Sequence, residues 1–252
     1  MLKYLLSFLL FLLPLNTSAY SLVTKYTDGH RVRVFVIPYD DAYRVTAVAS
    51  NSWYTLRNLV EKGRGVAGIN GAYFIPRDYT GKPDSTNTIR IMGGDGFAFS
   101  RYFPDTGINA IFGFDADHTP ILVQNNIYGD RSLRGNYNSG RILEVQSGIA
   151  NFPILLANGT NLLPRYDAIW LIPTKMKLKS TKSFICRTAN NDIKMGMIEK
   201  ISMMDASVLI TRFGCVDAIN LDNGGSLALY DKSRYIVGPG RNIMDAFVIM
   251  KK

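Results

Sequence analysis

The chain has 252 residues and a formal net charge of +9, with 47% hydrophobic and 19% charged residues. This is a globular composition with enough apolar material for a sizeable core, and two cysteines, Cys186 and Cys215, exclude a disulfide scaffold. The basic residues are scattered rather than gathered into an arm interleaved with aromatics, which argues against a dedicated nucleic-acid binder and fits an acidic or phosphate-bearing substrate.

The first segment has the plan of a secretory signal peptide. Lys3 precedes an apolar run from Tyr4 to Leu15, and Thr17-Ser18-Ala19 supplies a small-residue exit, so cleavage is expected after Ala19. A retained anchor would need about 20 apolar residues, and Pro14 interrupts the run early. No cysteine lies near the exit, which disfavours a lipoprotein. The expected product is one domain, residues 20–252, secreted, periplasmic or lumenal, with no later stretch of membrane-spanning length. Export permits a Cys186–Cys215 bridge, and two buried free thiols fit the sequence equally.

Val32, Val34 and Val36 alternate as in a half-buried strand, and Arg44 to Ala49 reads as its neighbour. Ser52 to Lys62 reads as a helix with Trp53, Leu56, Leu59 and Val60 on one face and Gly63 closing it. Gly65 to Ile69 suggests a short buried strand that delivers Asn70 and Gly71 to its end. Residues 76–110 are rich in Gly, Asp, Pro and Asn and read as loops. Strands are expected at 110–114, 120–124 and 152–157, with a polar, glycine-bearing flap at 125–143. Ser202 and Asp205 have capping-box spacing ahead of a helix with Met204, Val208, Leu209 and Phe213 on its apolar face. Strands are then expected at 216–221, 227–230, 234–237 and 244–250. Many strands with few helices point to an α+β domain: a mixed β-sheet with a few flanking helices.

The most informative stretch is Asn220-Leu221-Asp222-Asn223-Gly224-Gly225-Ser226. An apolar strand running into a carboxylate and two glycines puts polar groups at a sheet edge, where successive backbone N–H groups can form an anion-binding nest. The plainer reading is a hairpin turn, since Asn-Gly is a favoured hairpin dipeptide, and spacing alone leaves both open. Three further segments bear on it. Asn70-Gly71-Ala72-Tyr73-Phe74 is a second polar strand end, and Arg187-Thr188 and Arg241 place arginines beside apolar stretches. Arginine forks converging on a glycine nest would make a phosphate site. His30 and His118 are the only histidines, and no His or Cys spacing suits zinc. No cofactor is expected, and a divalent ion held by carboxylates stays open.

In this order the segments resemble the phosphodiester glycosidase family. The motifs that carry the likeness are Asn70 to Phe74, Gln146-Ser147-Gly148, Pro153 to Gly159, Arg187-Thr188-Ala189, Gly214 to Ser226, and Arg241 to Ala246, and the likeness as a whole spans 66–250. Ala72 and Asn223 stand where the family pattern has glycine, and Asn190-Asn191 replaces an Ile-Gly pair. Asparagine tolerates positive φ, so the Asp222 loop is expected to keep its shape.

The resemblance implies hydrolysis of a sugar-1-phosphodiester at the sugar C1–O bond. It assigns Asp222 as base or nucleophile, and Arg187, Arg241 and the Gly224-Gly225-Ser226 segment to phosphate stabilisation. Asn70 and Asn220 would orient sugar hydroxyls or water, with Gly71, Tyr73 and Thr188 as further substrate contacts. Glu144 and Asp245 are candidates for a second carboxylate, and Asp245 also reads as an ordinary strand-end residue. The implied partner is a phosphate-containing glycan or glycoconjugate. Two other readings remain: an exported domain that binds anionic glycans without catalysis, and a phosphodiesterase that cuts the P–O bond. Secreted protein is expected to begin at Tyr20 or within a few residues of it, and intact-mass analysis that finds residues 1–19 retained would refute the leader assignment.

Overall fold

A computed structural model describes residues 20–73, 90–91, 110–124, 145–168 and 174–252. The leader, Phe74, the 125–143 segment, Glu144 and all of the expected 76–110 loop except Arg90, Ile91 and Ala110 lie outside the described residues. The α+β class expected from the sequence is what forms, and every strand pairing among the described residues is antiparallel.

The strands form three sheets. The largest has seven strands: β1 (Ser21–Thr27), β2 (His30–Ile37), β12 (Ile193–Ile201), β11 (Ser180–Thr188), β13 (Cys215–Asn220), β9 (Ile154–Ala157) and β10 (Thr160–Asn161), in that spatial order. The second runs β15 (Arg234–Val237), β14 (Leu229–Asp231), β4 (Ala67–Asn70), β16 (Ile243–Lys251) and β3 (Tyr43–Tyr54). The third runs β5 (Arg90–Ile91), β8 (Ser147–Asn151), β6 (Ala110–Phe114) and β7 (Pro120–Gln124).

The alternation in β2 buries Val32, Val34 and Ile37, together with Phe35, whereas Val36 is only partly covered. Strands β4, β9 and β13 are buried on both faces over most of their length, as central strands of a packed core must be. Phe112, Phe114 and Phe247 meet edge to face and join the second sheet to the third. The first and second sheets share one apolar core containing Phe35, Phe184, Ile219 and Phe247.

Two helices start as side-chain caps dictate. In α1 (Leu56–Lys62) the Thr55 hydroxyl accepts from the Asn58 N–H at 3.2 Å. It begins later than the sequence suggested because Ser52–Tyr54 extend β3, where Tyr54 pairs with Ile243. Two short helical segments, α2 (Leu163–Ala168) and α3 (Thr174–Lys177), precede β11. In α4 (Met203–Arg212) the Ser202 hydroxyl accepts from the Asp205 N–H at 3.1 Å, as the capping-box spacing predicts. Its buried face is Met203, Ala206, Leu209 and Ile210; Val208, expected on that face, is 48% exposed.

Cys186 and Cys215 form a disulfide that ties β11 to the start of β13, with their Cα atoms 5.8 Å apart. The bridge closes a sequence separation of 29 residues, for which lost chain entropy in the unfolded state corresponds to about 3–4 kcal/mol. The double variant Cys186→Ser/Cys215→Ser is expected to lose stability of that order in denaturant unfolding, and an unchanged midpoint would show that the bridge contributes nothing.

Candidate active site

Three strands, one from each sheet, end in a buried asparagine: Asn220 of β13, Asn70 of β4 and Asn151 of β8. A buried amide must find partners, and these find them in one another's segments. Asn70 Nδ2 donates to the Asp222 carbonyl at 2.7 Å, and Asn70 Oδ1 accepts from the Ala228 N–H at 3.2 Å. Asn151 Nδ2 donates to the Asn220 carbonyl at 2.8 Å, and its Oδ1 accepts from the Tyr73 N–H at 3.2 Å. Asn220 Nδ2 donates to the Tyr73 hydroxyl at 2.7 Å and the Phe152 carbonyl at 3.2 Å. The loop after β13 is thereby fixed from both ends.

Asp222 sits in that loop with 4% of its surface exposed. Its N–H donates to the Gly71 carbonyl at 2.8 Å, and its Oδ1 accepts from the Asn223 N–H at 2.8 Å. Arg241 Nη2 approaches Oδ2 at 3.4 Å, while Arg241 Nε donates to Ser226 Oγ at 2.7 Å. Burial pushes the Asp222 carboxyl above its ordinary range; bonds from Ser226, Arg241 and the Asn223 N–H pull the other way without cancelling it. Burial, and next to it the Asp222 charge, likewise raises the Tyr73 phenol, which therefore stays protonated. A desolvated carboxylate with a raised pKa beside a cation is the environment of a base or nucleophile.

Past Asp222 the chain makes a 3₁₀ turn, Gly224–Ser226. Gly224 has φ +63°, a conformation that glycine adopts without cost. Gly224 and Gly225 are exposed, and the opening N–H groups of such a turn lack an intrahelical acceptor. The Arg241 N–H donates to the Gly225 carbonyl at 2.7 Å, which seats the arginine over the turn. About a third of the Arg241 side chain is exposed (31%), so an anion can reach it from solvent.

Not every expected residue joins this cluster. Arg187 lies four residues along β11 from Ser183, about 13 Å at strand rise, and its guanidinium is engaged with Asp217 at 2.6 Å. Thr188 caps the β11–β12 turn, its hydroxyl accepting from the Asp192 N–H at 3.2 Å. Neither is brought to Asp222. Ser226 is there, but its hydroxyl is fully buried and occupied by Arg241 and Asp222, so it orients those groups rather than meeting an anion itself. Asp245, buried in β16, accepts the Ala72 N–H at Oδ1 at 2.7 Å and supports the Asn70–Tyr73 segment. Gly71 packs so closely on it that a Cβ would stand 2.2 Å from Asp245 Oδ1.

Two contributors carry no motif in the sequence. Ser183 of β11 donates through Oγ to the Asp222 carbonyl at 2.6 Å, and Asn151 provides the bridge described above. The one sequence signal of Ser183 is a hydroxyl beside the apolar run Phe184-Ile185-Cys186.

The family model that describes phosphodiester glycosidases matches residues 63–250, which holds every member of this cluster. The chain belongs to the phosphodiester glycosidase family. Several solved structures share the fold, among them the following three. The catalytic domain of zebrafish N-acetylglucosamine-1-phosphodiester alpha-N-acetylglucosaminidase, auto-inhibited by its pro-peptide, aligns with TM-score 0.65 and 13% identity over 94% of this chain and 85% of that one. A hypothetical protein from Synechocystis aligns with TM-score 0.59 and 12% identity, over 92% of this chain and 62% of that one. A protein described as exported, from Burkholderia pseudomallei K96243, aligns with TM-score 0.53 and 13% identity over 88% and 74%. No curated protein matches this chain in sequence.

For a phosphodiester glycosidase the Asn223 position is unusual, and its conformation corrects the sequence expectation. Its φ is −118°, so no left-handed strain exists for glycine to relieve. Its side chain is structural instead. Oδ1 accepts from the Ser183 N–H at 2.8 Å, and Nδ2 donates to the Tyr73 hydroxyl at 2.8 Å and to Asn220 Oδ1 at 3.1 Å. Asn223→Gly is therefore expected to destabilise the protein by about 1–3 kcal/mol, through buried partners left unbonded. Thermal or denaturant unfolding checks this, and a variant as stable as the parent would contradict it.

Proposed function

We propose that this protein is an exported hydrolase of sugar-1-phosphodiesters that cleaves the bond between sugar C1 and the ester oxygen. The observation that carries the reading is the buried Asp222 carboxylate held beside a partly exposed Arg241, on a turn whose two glycines are exposed. Family membership supports the glycosidase class. The leader-like first 19 residues and the Cys186–Cys215 bridge support export, since disulfides persist in oxidising compartments.

In the proposed reaction the water oxygen forms a bond to C1 as the C1–O bond breaks. The bonding pair leaves with the phosphate monoester, and the water proton passes to Asp222. A phosphate leaving group needs charge stabilisation more than protonation, which a guanidinium and oriented N–H groups supply. One carboxylate suffices for that balance, whereas alkoxide-releasing glycosidases need a second as general acid. Asn70, Asn151, Asn220 and Tyr73 act as positioning residues that keep the Asp222 loop in place. Arg187 has no part in this scheme, because its charge is spent on Asp217.

The test is hydrolysis of defined sugar-1-phosphodiesters in oxygen-18 water by the mature protein. Label in the released sugar supports C–O cleavage, label in the phosphate would shift the reading to a phosphodiesterase, and no turnover with retained glycan binding would shift it to a binding domain.

Asp222→Asn keeps the shape and removes the charge, so kcat is expected to fall by about 10²–10⁴-fold with substrate still bound. Arg241→Lys keeps the charge but loses the fork, weakening binding and rate together by about 1.5–3 kcal/mol. The wild-type rate should drop as pH falls through the Asp222 pKa, and burial sets that limb higher than for an exposed aspartate. Near-normal turnover by folded Asp222→Asn would put the chemistry on another group.

A further inference from the structure

The strands that build the candidate site also have a far end, and a cavity of about 310 Å³ opens there. Separation from Asp222 comes from strand rise in each sheet. Arg44 pairs with Met250, five residues along β16 from Asp245, about 16 Å. Phe114 pairs with Ser147, at the end of β8 opposite Asn151. Asn191, in the turn after β11, lies beyond Arg187 and so farther still from Ser183. The cavity is a different place from the Asp222 cluster, and a ligand bound in it would be independent of the hydrolysis proposed for Asp222.

Its polar wall is Arg44, His118 and Lys252, and its aromatic wall is Tyr39, Tyr43 and Phe114. Arg44 Nη1 donates to His118 Nε2, which requires that nitrogen to be unprotonated. Burial, then the charges of Arg44 and Lys252, lower the His118 pKa and favour that neutral form. Arg44 Nε is buried and donates to nothing among the described residues, and Lys252 Nζ reaches only the Tyr39 carbonyl, at 3.3 Å. Asp40 and Asp117 also border the cavity, yet among the described residues no carboxylate comes within ion-pair distance of Arg44 or Lys252. Two cations on one wall with no carboxylate paired to either favour an anion between them. Arginine is also the side chain best shaped to take one, through two parallel N–H donors.

We propose that this cavity is a second binding site, for a compact ligand whose carboxylate or phosphate group bridges Arg44 and Lys252 while a less polar face rests on Tyr39, Tyr43 and Phe114. The volume is at the lower end for a small-molecule site, enough for one anionic sugar or a similar ring.

The test uses the mature protein carrying Arg241→Met, so that the Asp222 cluster contributes no arginine to anion binding. Inorganic phosphate, glucuronate and neutral glucose are titrated by calorimetry, with the His118 ring signals followed by NMR. Binding of phosphate alone identifies a phosphate-bearing ligand, and binding of glucuronate alone or of both identifies a carboxylate-tolerant site; either supports the proposal when His118 signals shift and glucose is inert. Adding Arg44→Met should weaken binding at least about tenfold. Lys252→Met, at an exposed position that leaves the Arg44–His118 contact intact, should weaken it by about threefold or more. No binding of either anion at millimolar concentration overturns the proposal. So does anion binding that both substitutions leave unchanged, or glucose binding as tight as glucuronate.

Discussion

The Asn70 amide is the contact on which the candidate site depends most directly. Asn70 is the last residue of a strand in the second sheet, yet its side chain bonds the Asp222 carbonyl and the Ala228 N–H on either side of the glycine turn. One buried side chain thereby ties together the connection between β13 and β14, which lie in different sheets. Asn151 does the equivalent between the third sheet and the first, joining the Asn220 carbonyl to the Tyr73 N–H. A side chain without an amide's paired donor and acceptor could satisfy only one end of either bridge, and the other would be left buried and unbonded.

That scaffold holds the Asp222 carboxyl out of water. Taking a carboxylate out of water is expensive, and the raised pKa records that the expense is not fully offset. Holding the loop from Asn70, Ser183 and Gly71 keeps Asp222 from turning outward to be solvated. The Arg241 contact at 3.4 Å is correspondingly loose, unlike the 2.6 Å pair of Arg187 with Asp217. The Arg241 side chain at this longer distance keeps about a third of its surface exposed.

The sequence is most readable where one face of a strand or helix carries a clean period. Residues 110–114, 120–124 and 234–237 form strands with the expected ends, and Ser202 caps its helix as its spacing predicts. Strands β11 and β12 are illegible for a physical reason. They lie in the interior of the seven-stranded sheet with most residues buried on both faces, so Ser180 to Thr188 and Ile193 to Ile201 show no alternation. The same gap hides the position of Arg187: the sequence does not announce that Cys186-Arg187-Thr188 lies at the end of β11 away from Ser183, with Arg187 paired to Asp217. The partners of Ser183 and Asn151 are 39 and 69 residues away, and no local pattern announces them.

Where the chain departs from the family pattern, each departure falls where its new residue costs little. Ala72 adds a methyl group that packs into the main core, 3% exposed, whereas its neighbour Gly71 has no such room beside Asp245. Asn191 occupies a turn at φ +65°, the left-handed region in which asparagine is tolerated best after glycine, and it sits at the end of β11 remote from Asp222. Asn223 adopts an ordinary φ of −118° and gains bonds to Ser183, Tyr73 and Asn220 that glycine could not make. Gly224, the next residue, is the one at φ +63°, and there the glycine is kept. Backbone geometry thus separates the glycine this loop requires from the one it can replace. The replacement ties Asp222's neighbour to the same Tyr73 hydroxyl that Asn220 already holds, which stiffens the segment carrying the carboxylate.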